Sequence, residues 1–126
     1  MLARYRIHRG KRPESDPLPE GVRQDTRKHT KHCLRPTEQL VETYLDDATD
    51  AGWKAFEKAY REILRERYAE DPGPFEKLAA IAEAEDVYIG CSCPTNRNPD
   101  VNHCHTVVAL RFMKERYPKL KVAFPK

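Results

Sequence analysis

The chain has 126 residues, of which 39% are hydrophobic and 34% are charged, and its formal net charge is +3. This length predicts one domain with one hydrophobic core, and the high share of charged residues predicts strongly amphipathic helices. No apolar run is long enough to cross a bilayer, and the first residues lack the apolar stretch of a signal peptide, so we expect a cytoplasmic protein without a membrane partner.

The amino-terminal segment, residues 1–35, is rich in proline and carries a net charge of +6. The alternation from Tyr5 to Gly10 predicts the first strand, which Gly10 ends. A short second strand is expected around Val22. The prolines between these two strands indicate a loop.

The densest basic tract of the chain follows the expected second strand. It includes Arg23, Arg27 and Lys28, which we predict to contact the phosphate groups of a nucleotide or a nucleic acid. A tract of this kind is also typical of an exposed loop that water solvates, and both interpretations stay open.

Residues 36–126 are expected to contain the helices and the Cys/His core. The spacing of apolar residues predicts three helices that begin near Thr37, Asp50 and Pro74, with Asp50 as a helix cap. The alternation from Leu120 to Phe124 predicts a final strand. Strands and helices in this order indicate one α/β domain, a small three-layer unit with a short, mainly parallel sheet flanked by helices.

The chain's cysteines and histidines concentrate between residues 91 and 105, which contain three of the four cysteines and two of the five histidines. The run from Val87 to Gly90 predicts a buried strand before them, and Pro94 to Asn102 predicts a loop. A helix is expected from His103 to about Tyr117, with Asn102 or Asp100 as its cap. The cluster should therefore lie between a strand's carboxyl end and a helix's amino end, where anionic ligands and thiolates are favoured.

One interpretation of the cluster is a metal site. Cys91, Cys93, Cys104 and either His103 or His105 offer the thiolate and imidazole ligands that zinc or iron prefers. The Cys-x-Cys spacing is unusual for such a site. Two sulfurs on an extended strand point to opposite faces unless the chain turns sharply after the strand.

A second interpretation is thiol chemistry, with Cys104 as a nucleophile polarised by the helix start and His105 as its catalytic partner. In a third interpretation the cysteines are small structural residues, and the protein is a non-enzymatic accessory protein that binds nucleic acid. The lack of a signal peptide favours free thiols over disulfides. Cys33 lies far from the others in sequence and is left out of the predicted site.

Several segments together are similar to one known family. They are the strand end Cys91-Ser92-Cys93, the helix start Cys104-His105, the helix start from Arg35 to Leu40, and the helix residues Trp53, Phe56, Tyr60, Arg61 and Leu64. With them, nearly the whole chain resembles the small bacterial and archaeal proteins called domain of unknown function 488. The resemblance implies a compact α/β domain with its functional residues around the Cys-x-Cys and Cys-His motifs. It implies no reaction, because that family is uncharacterised.

The chain departs from that family's pattern in two places. Thr106 stands where the family has an arginine after Cys-His, and the loop from Pro94 to Asn102 is longer than in many members. If that arginine binds a ligand in relatives, Arg97 or Arg111 is the candidate to take over its role.

Overall fold

A computed structural model describes residues 1–125 and shows a parallel sheet of three strands. The strands are β1 (Leu2–Arg6), β2 (Val22–Asp25) and β3 (Val87–Cys91). β3 lies in the centre, paired with β1 on one side and with β2 on the other. The predicted α/β fold with a parallel sheet is confirmed, and so is the short strand around Val22.

The helices begin and end close to the predicted positions. They are α1 (Glu38–Asp46), α2 (Asp50–Glu70), α3 (Gly73–Ala84) and α4 (His105–Arg116). Thr37 caps α1, and Pro74 lies in the first turn of α3, where its missing amide hydrogen costs no bond. The prediction that Asp50 caps α2 is wrong, because the hydroxyl of Thr49 accepts the hydrogen bond from the Gly52 amide at 3.0 Å. None of the helices in residues 1–125 has both the length and the apolar character needed to cross a membrane.

The core forms where the apolar side of α2 meets α3, α4 and the central strand. Phe56, Tyr60 and Leu64 of α2 are buried one helical turn apart, as expected for an amphipathic helix. The Tyr60 hydroxyl donates a hydrogen bond to the Leu34 carbonyl at 2.5 Å, which satisfies the polar end of a fully buried ring. Trp53 packs against this core without being fully buried. The three aromatic residues Trp53, Phe56 and Tyr60 of α2 therefore lie in the core or pack against it.

The first strand lies further toward the amino terminus than predicted. It covers Leu2–Arg6 rather than Tyr5 to Gly10. Leu2 pairs with Val87 and is fully buried, so burial fixes the start of the strand there. The Ile7 amide still donates to the Cys91 carbonyl at 2.9 Å, but the chain leaves the sheet after this bond.

The predicted final strand is wrong. The segment from Leu120 to Phe124 forms a single parallel bridge between Val122 and Leu2. Its ladder contains one bond from the Leu2 amide to the Lys121 carbonyl and one from the Ala123 amide to the Leu2 carbonyl. In a parallel ladder the next donor on this side would be residue 125, which is a proline and has no amide hydrogen.

Candidate functional site

The three clustered cysteines meet in space. The sulfur atoms of Cys91, Cys93 and Cys104 all lie within 4.8 Å of one another, and the cysteines are free thiols. β3 ends at Cys91, so Cys93 no longer follows the strand alternation that would point its sulfur to the opposite face. The chain turns there, and the Cys93–Pro94 peptide is cis.

Helix α4 begins two residues later than predicted. Asp100 accepts a hydrogen bond from the Asn102 amide at 2.9 Å and caps a short 3-10 turn, Val101–His103. Because that turn ends at His103, α4 starts only at His105, with Cys104 in the capping position. The prediction that Asn102 or Asp100 caps α4 is therefore wrong, and the thiol itself stands at the helix's amino end.

Two side chains besides the cysteines contact the Cys104 sulfur. The Thr106 hydroxyl donates to it at 3.2 Å, and the His105 Nδ1 atom lies 3.9 Å away. Arg4 Nε donates to the Thr106 oxygen at 3.0 Å, and a second Arg4 nitrogen donates to the Cys93 carbonyl at 2.7 Å. Because the Thr106 oxygen accepts a hydrogen bond from Arg4, the hydroxyl's only hydrogen is free to point to the Cys104 sulfur.

The hydrogen bonds around His105 assign its tautomer. Thr26 donates its hydroxyl hydrogen to the Gly90 carbonyl at 3.0 Å, and the same oxygen lies 2.9 Å from His105 Nε2. Because a hydroxyl has one hydrogen, His105 must donate from Nε2 to Thr26. The lone pair of the neutral ring then lies on Nδ1, the nitrogen that faces Cys104.

The cluster favours one negative charge, on Cys104. Hydrogen bonds from the thiols of Cys91 and Cys93 lower the pKa of Cys104 well below its usual value, and His105 lowers it further. The same hydrogen bonds raise the pKa of Cys91, and they raise that of Cys93 to about 11. Cys33 lies apart from the cluster, and burial raises its pKa to about 11.

The cluster lies on the wall of a cleft of about 700 Å³. Cations from both basic parts of the sequence line this cleft, namely Arg6, Arg9, Arg27, Lys28 and Arg97. Aromatic side chains form another part of the wall, namely Tyr44, Trp53 and Phe56. The basic amino-terminal segment therefore reaches the cysteine site.

His103 lines the cleft but is not one of the groups that converge with the sulfurs. Its ring stacks on Trp53 with centroids 5.0 Å apart, and its Nδ1 atom lies 3.3 Å from the Tyr44 hydroxyl. Of the four predicted metal ligands, the structure thus brings the three cysteines together and leaves His103 on the aromatic wall.

Of the three predicted phosphate contacts, the structure places two on the wall of the cleft and one outside it. Arg27 and Lys28 line the cleft, whereas Arg23 is exposed and is not among the lining residues. Arg27 and Lys28 are each already paired with a carboxylate. Arg27 lies 2.8 Å from a carboxylate oxygen of Asp25, and Lys28 lies 3.1 Å from one of Glu42.

The two arginines suggested as substitutes for the family's arginine do not contact Thr106. Arg97 is 60% exposed and lies 3.7 Å from Glu42, and Arg111 pairs with Glu57 at 3.1 Å. The guanidinium that does reach Thr106 is that of Arg4, which is 102 positions away in sequence.

Sequence reasoning missed Arg4, Thr26 and Asn98. Asn98 donates to the Cys93 sulfur at 3.3 Å and to the His103 carbonyl at 2.7 Å, which ties the loop to the cluster. None of these residues belongs to a motif. The one signal available was the alternation of Arg4 with Arg6, which places two cations on the same face of β1.

The fold and the site define a small α/β domain whose central strand ends in a cluster of three cysteines beside a basic cleft. The chain belongs to the family of domain of unknown function 488. The family model described as DUF488-N3a, active DUF488-N3 subclade, matches residues 6–117. No curated protein and no solved structure matches the chain.

Proposed function

We propose that the cleft carries out a thiol-dependent reaction on a small phosphate-bearing ligand, with Cys104 as the nucleophile and His105 as its proton acceptor. One observation supports this most strongly. The Cys104 sulfur lies within 4.8 Å of two other sulfurs and accepts the Thr106 hydroxyl on the wall of the cleft. A sulfur with several donors directed at it is suited to carry a negative charge.

The surroundings of Cys104 favour the thiolate in three ways. Hydrogen bonds from two thiols lower the pKa of Cys104, and the Thr106 hydroxyl donates a further hydrogen bond to its sulfur. Arg4 places a positive charge behind the Thr106 hydroxyl. The capping position of α4 adds the partial positive charge of a helix's amino end.

The proposed step is a nucleophilic displacement. The Cys104 proton moves to Nδ1 of His105, and the sulfur's electron pair forms a bond to an electrophilic atom of the ligand. The leaving group departs with the electrons of the bond that breaks, and it takes the proton from His105. His105 keeps its Nε2 hydrogen bond to Thr26 throughout, which holds the ring in place.

The cleft's size and charge suggest the class of ligand. A volume of about 700 Å³ is in the range of small-molecule sites. The cations on its wall suit a phosphate group, with Arg27 and Lys28 as candidate contacts. A concave site of this size favours a compact ligand such as a nucleotide over a polynucleotide laid across a surface.

Alkylation tests the proposed nucleophile. The protein is treated with iodoacetamide at pH 7, and the modified peptides are counted by mass spectrometry over time. We expect Cys104 to react at least about tenfold faster than Cys33, because the pKa of Cys33 is raised to about 11. Cys104→Ser should remove the fast phase, and the matched variant Cys33→Ser should keep it. A Cys104 that reacts no faster than Cys33 would contradict the proposal.

A soft metal ion is the second candidate, because the three sulfur atoms lie close enough to bind one ion. Cys91, Cys93 and Cys104 would be its protein ligands, and thiolates suit zinc or iron. Elemental analysis of protein purified without added metal tests this function. About one zinc or iron per chain, lost in Cys91→Ser and kept in Cys33→Ser, would establish the metal site. A metal content near zero in the wild-type protein would exclude it.

A further inference from the structure

Arg6 lies directly beside the cysteine cluster. It is the last residue of β1 and pairs with Cys91 in the parallel ladder. Residues paired in neighbouring strands direct their side chains to the same face of the sheet. Arg6 lines the cleft together with all three clustered cysteines. Its position follows from the strand register, so the backbone holds it there.

The Arg6 guanidinium has no partner among residues 1–125. Its Nε atom is buried and makes no hydrogen bond. The Tyr117 hydroxyl is the other buried side-chain polar atom in this part of the chain without a partner, and Tyr117 is not among the cleft's lining residues. Because a buried donor without an acceptor destabilises the protein, Arg6 needs an acceptor that the described chain does not supply.

Apart from Arg9, which is exposed, the other cations near the cluster are already engaged. Arg4 donates to Thr106 and to the Cys93 carbonyl, and Arg27 and Lys28 each pair with a carboxylate. Among the described residues that line the cleft, Glu42 is the only one with a carboxylate, and both Lys28 and Arg97 form ion pairs with it. Arg6 therefore has no carboxylate partner on the wall of the cleft.

We propose that Arg6 is the principal anion-binding residue of the cleft and takes the phosphate group of the ligand. This inference rests on the proposed function for the class of ligand. A guanidinium presents a planar pair of donors that matches two oxygens of a phosphate group. A phosphate bound there lies beside Cys91 and satisfies the buried Nε donor. Arg27 and Lys28 then contribute at longer range, because their charges are partly neutralised by Asp25 and Glu42.

Nuclear magnetic resonance with inorganic phosphate as the probe tests this site directly. The Nε–Hε resonance of Arg6 is assigned by its loss in Arg6→Gln, and phosphate is titrated at constant ionic strength. We expect a saturable shift of this resonance in the wild-type protein. We also expect phosphate affinity to fall at least about tenfold in Arg6→Gln and to recover in part in Arg6→Lys. Arg65→Gln, which changes an exposed arginine on α2, should bind phosphate as the wild type does.

Two results would overturn the inference. One is a wild-type Arg6 resonance that does not shift to saturation, and this readout needs no variant to fold. The other is phosphate affinity that is unchanged in a folded Arg6→Gln protein. The same titration in Cys104→Ser separates this inference from the proposed function. Phosphate binding kept in Cys104→Ser, together with slow alkylation of Cys104 in the wild type, would retain the anion site and reject the nucleophile.

Discussion

Replacing Thr106 by valine tests the electrostatics of the thiol site. Valine keeps the shape of threonine but removes the hydroxyl that donates to the Cys104 sulfur at 3.2 Å and accepts from Arg4. A hydrogen bond to a charged group contributes about 1.5–3 kcal/mol. At a pH below the titration range of Cys104, the loss of this hydrogen bond should lower the ionised fraction of the thiol by roughly 10-fold to 150-fold. The assay is the rate of Cys104 alkylation by iodoacetamide, measured from pH 4 to pH 9.

The expected result is a rate profile in Thr106→Val that is displaced to higher pH. Thr106→Ser is the matched control, because serine keeps the hydroxyl, and it should follow the wild-type profile. Thr49→Val is a second control that removes the cap of α2 far along the chain and should lower stability without displacing the profile. A Thr106→Val profile that overlays the wild type would refute the argument that the hydroxyl stabilises the thiolate.

Two further predictions concern stability. Burial lowers the pKa of His32 from 6.5 to about 4, and the neutral ring accepts a hydrogen bond from the Leu34 amide at 3.0 Å. As the pH falls, His32 of the unfolded chain therefore binds a proton before His32 of the folded chain does. About 2 kcal/mol of stability, present above pH 6.5, should be lost as the pH falls toward 4. Urea unfolding at pH 7 and pH 4.5 should show a smaller difference in His32→Asn, and an equal difference would contradict this assignment. Leu64→Ala in the core should lower the unfolding free energy by about 2–5 kcal/mol, measured by urea unfolding. In the same experiment the control Leu18→Ala, at a residue that is 51% exposed, should change it by less than about 0.5 kcal/mol.

The helices and the central strand could be predicted because their signals are local. The apolar residues of α2 recur with the period of a helix, and the run before Cys91 has the composition of a buried strand. The helix caps were harder to predict. Thr49 and Asp50 are adjacent and both are good capping residues, so the choice between them depends on which backbone carbonyls and amides the helix leaves free.

The ends of the sheet could not be predicted for a different reason. Leu2 and Val122 enter the sheet because each finds a partner far away in sequence. Alternation alone suggested strands at Tyr5 to Gly10 and at Leu120 to Phe124, but alternation carries no information about register. Where a strand begins depends on which residues are buried against the neighbouring strand.

The sequence by itself determined the order of the elements, the family, and the placement of three cysteines between a strand's end and a helix's start. Only the tertiary structure decided which side chains surround Cys104, because Arg4 of β1 and Thr26, which directly follows β2, reach the site from positions far away in sequence. It also distinguished paired cations from an unpaired one, since Arg27 finds Asp25 and Arg6 finds no partner in the described chain. The charge of a residue can be read from the sequence. Its hydrogen-bond acceptors and ion-pair partners depend on strand register and on packing between residues that are far apart in sequence.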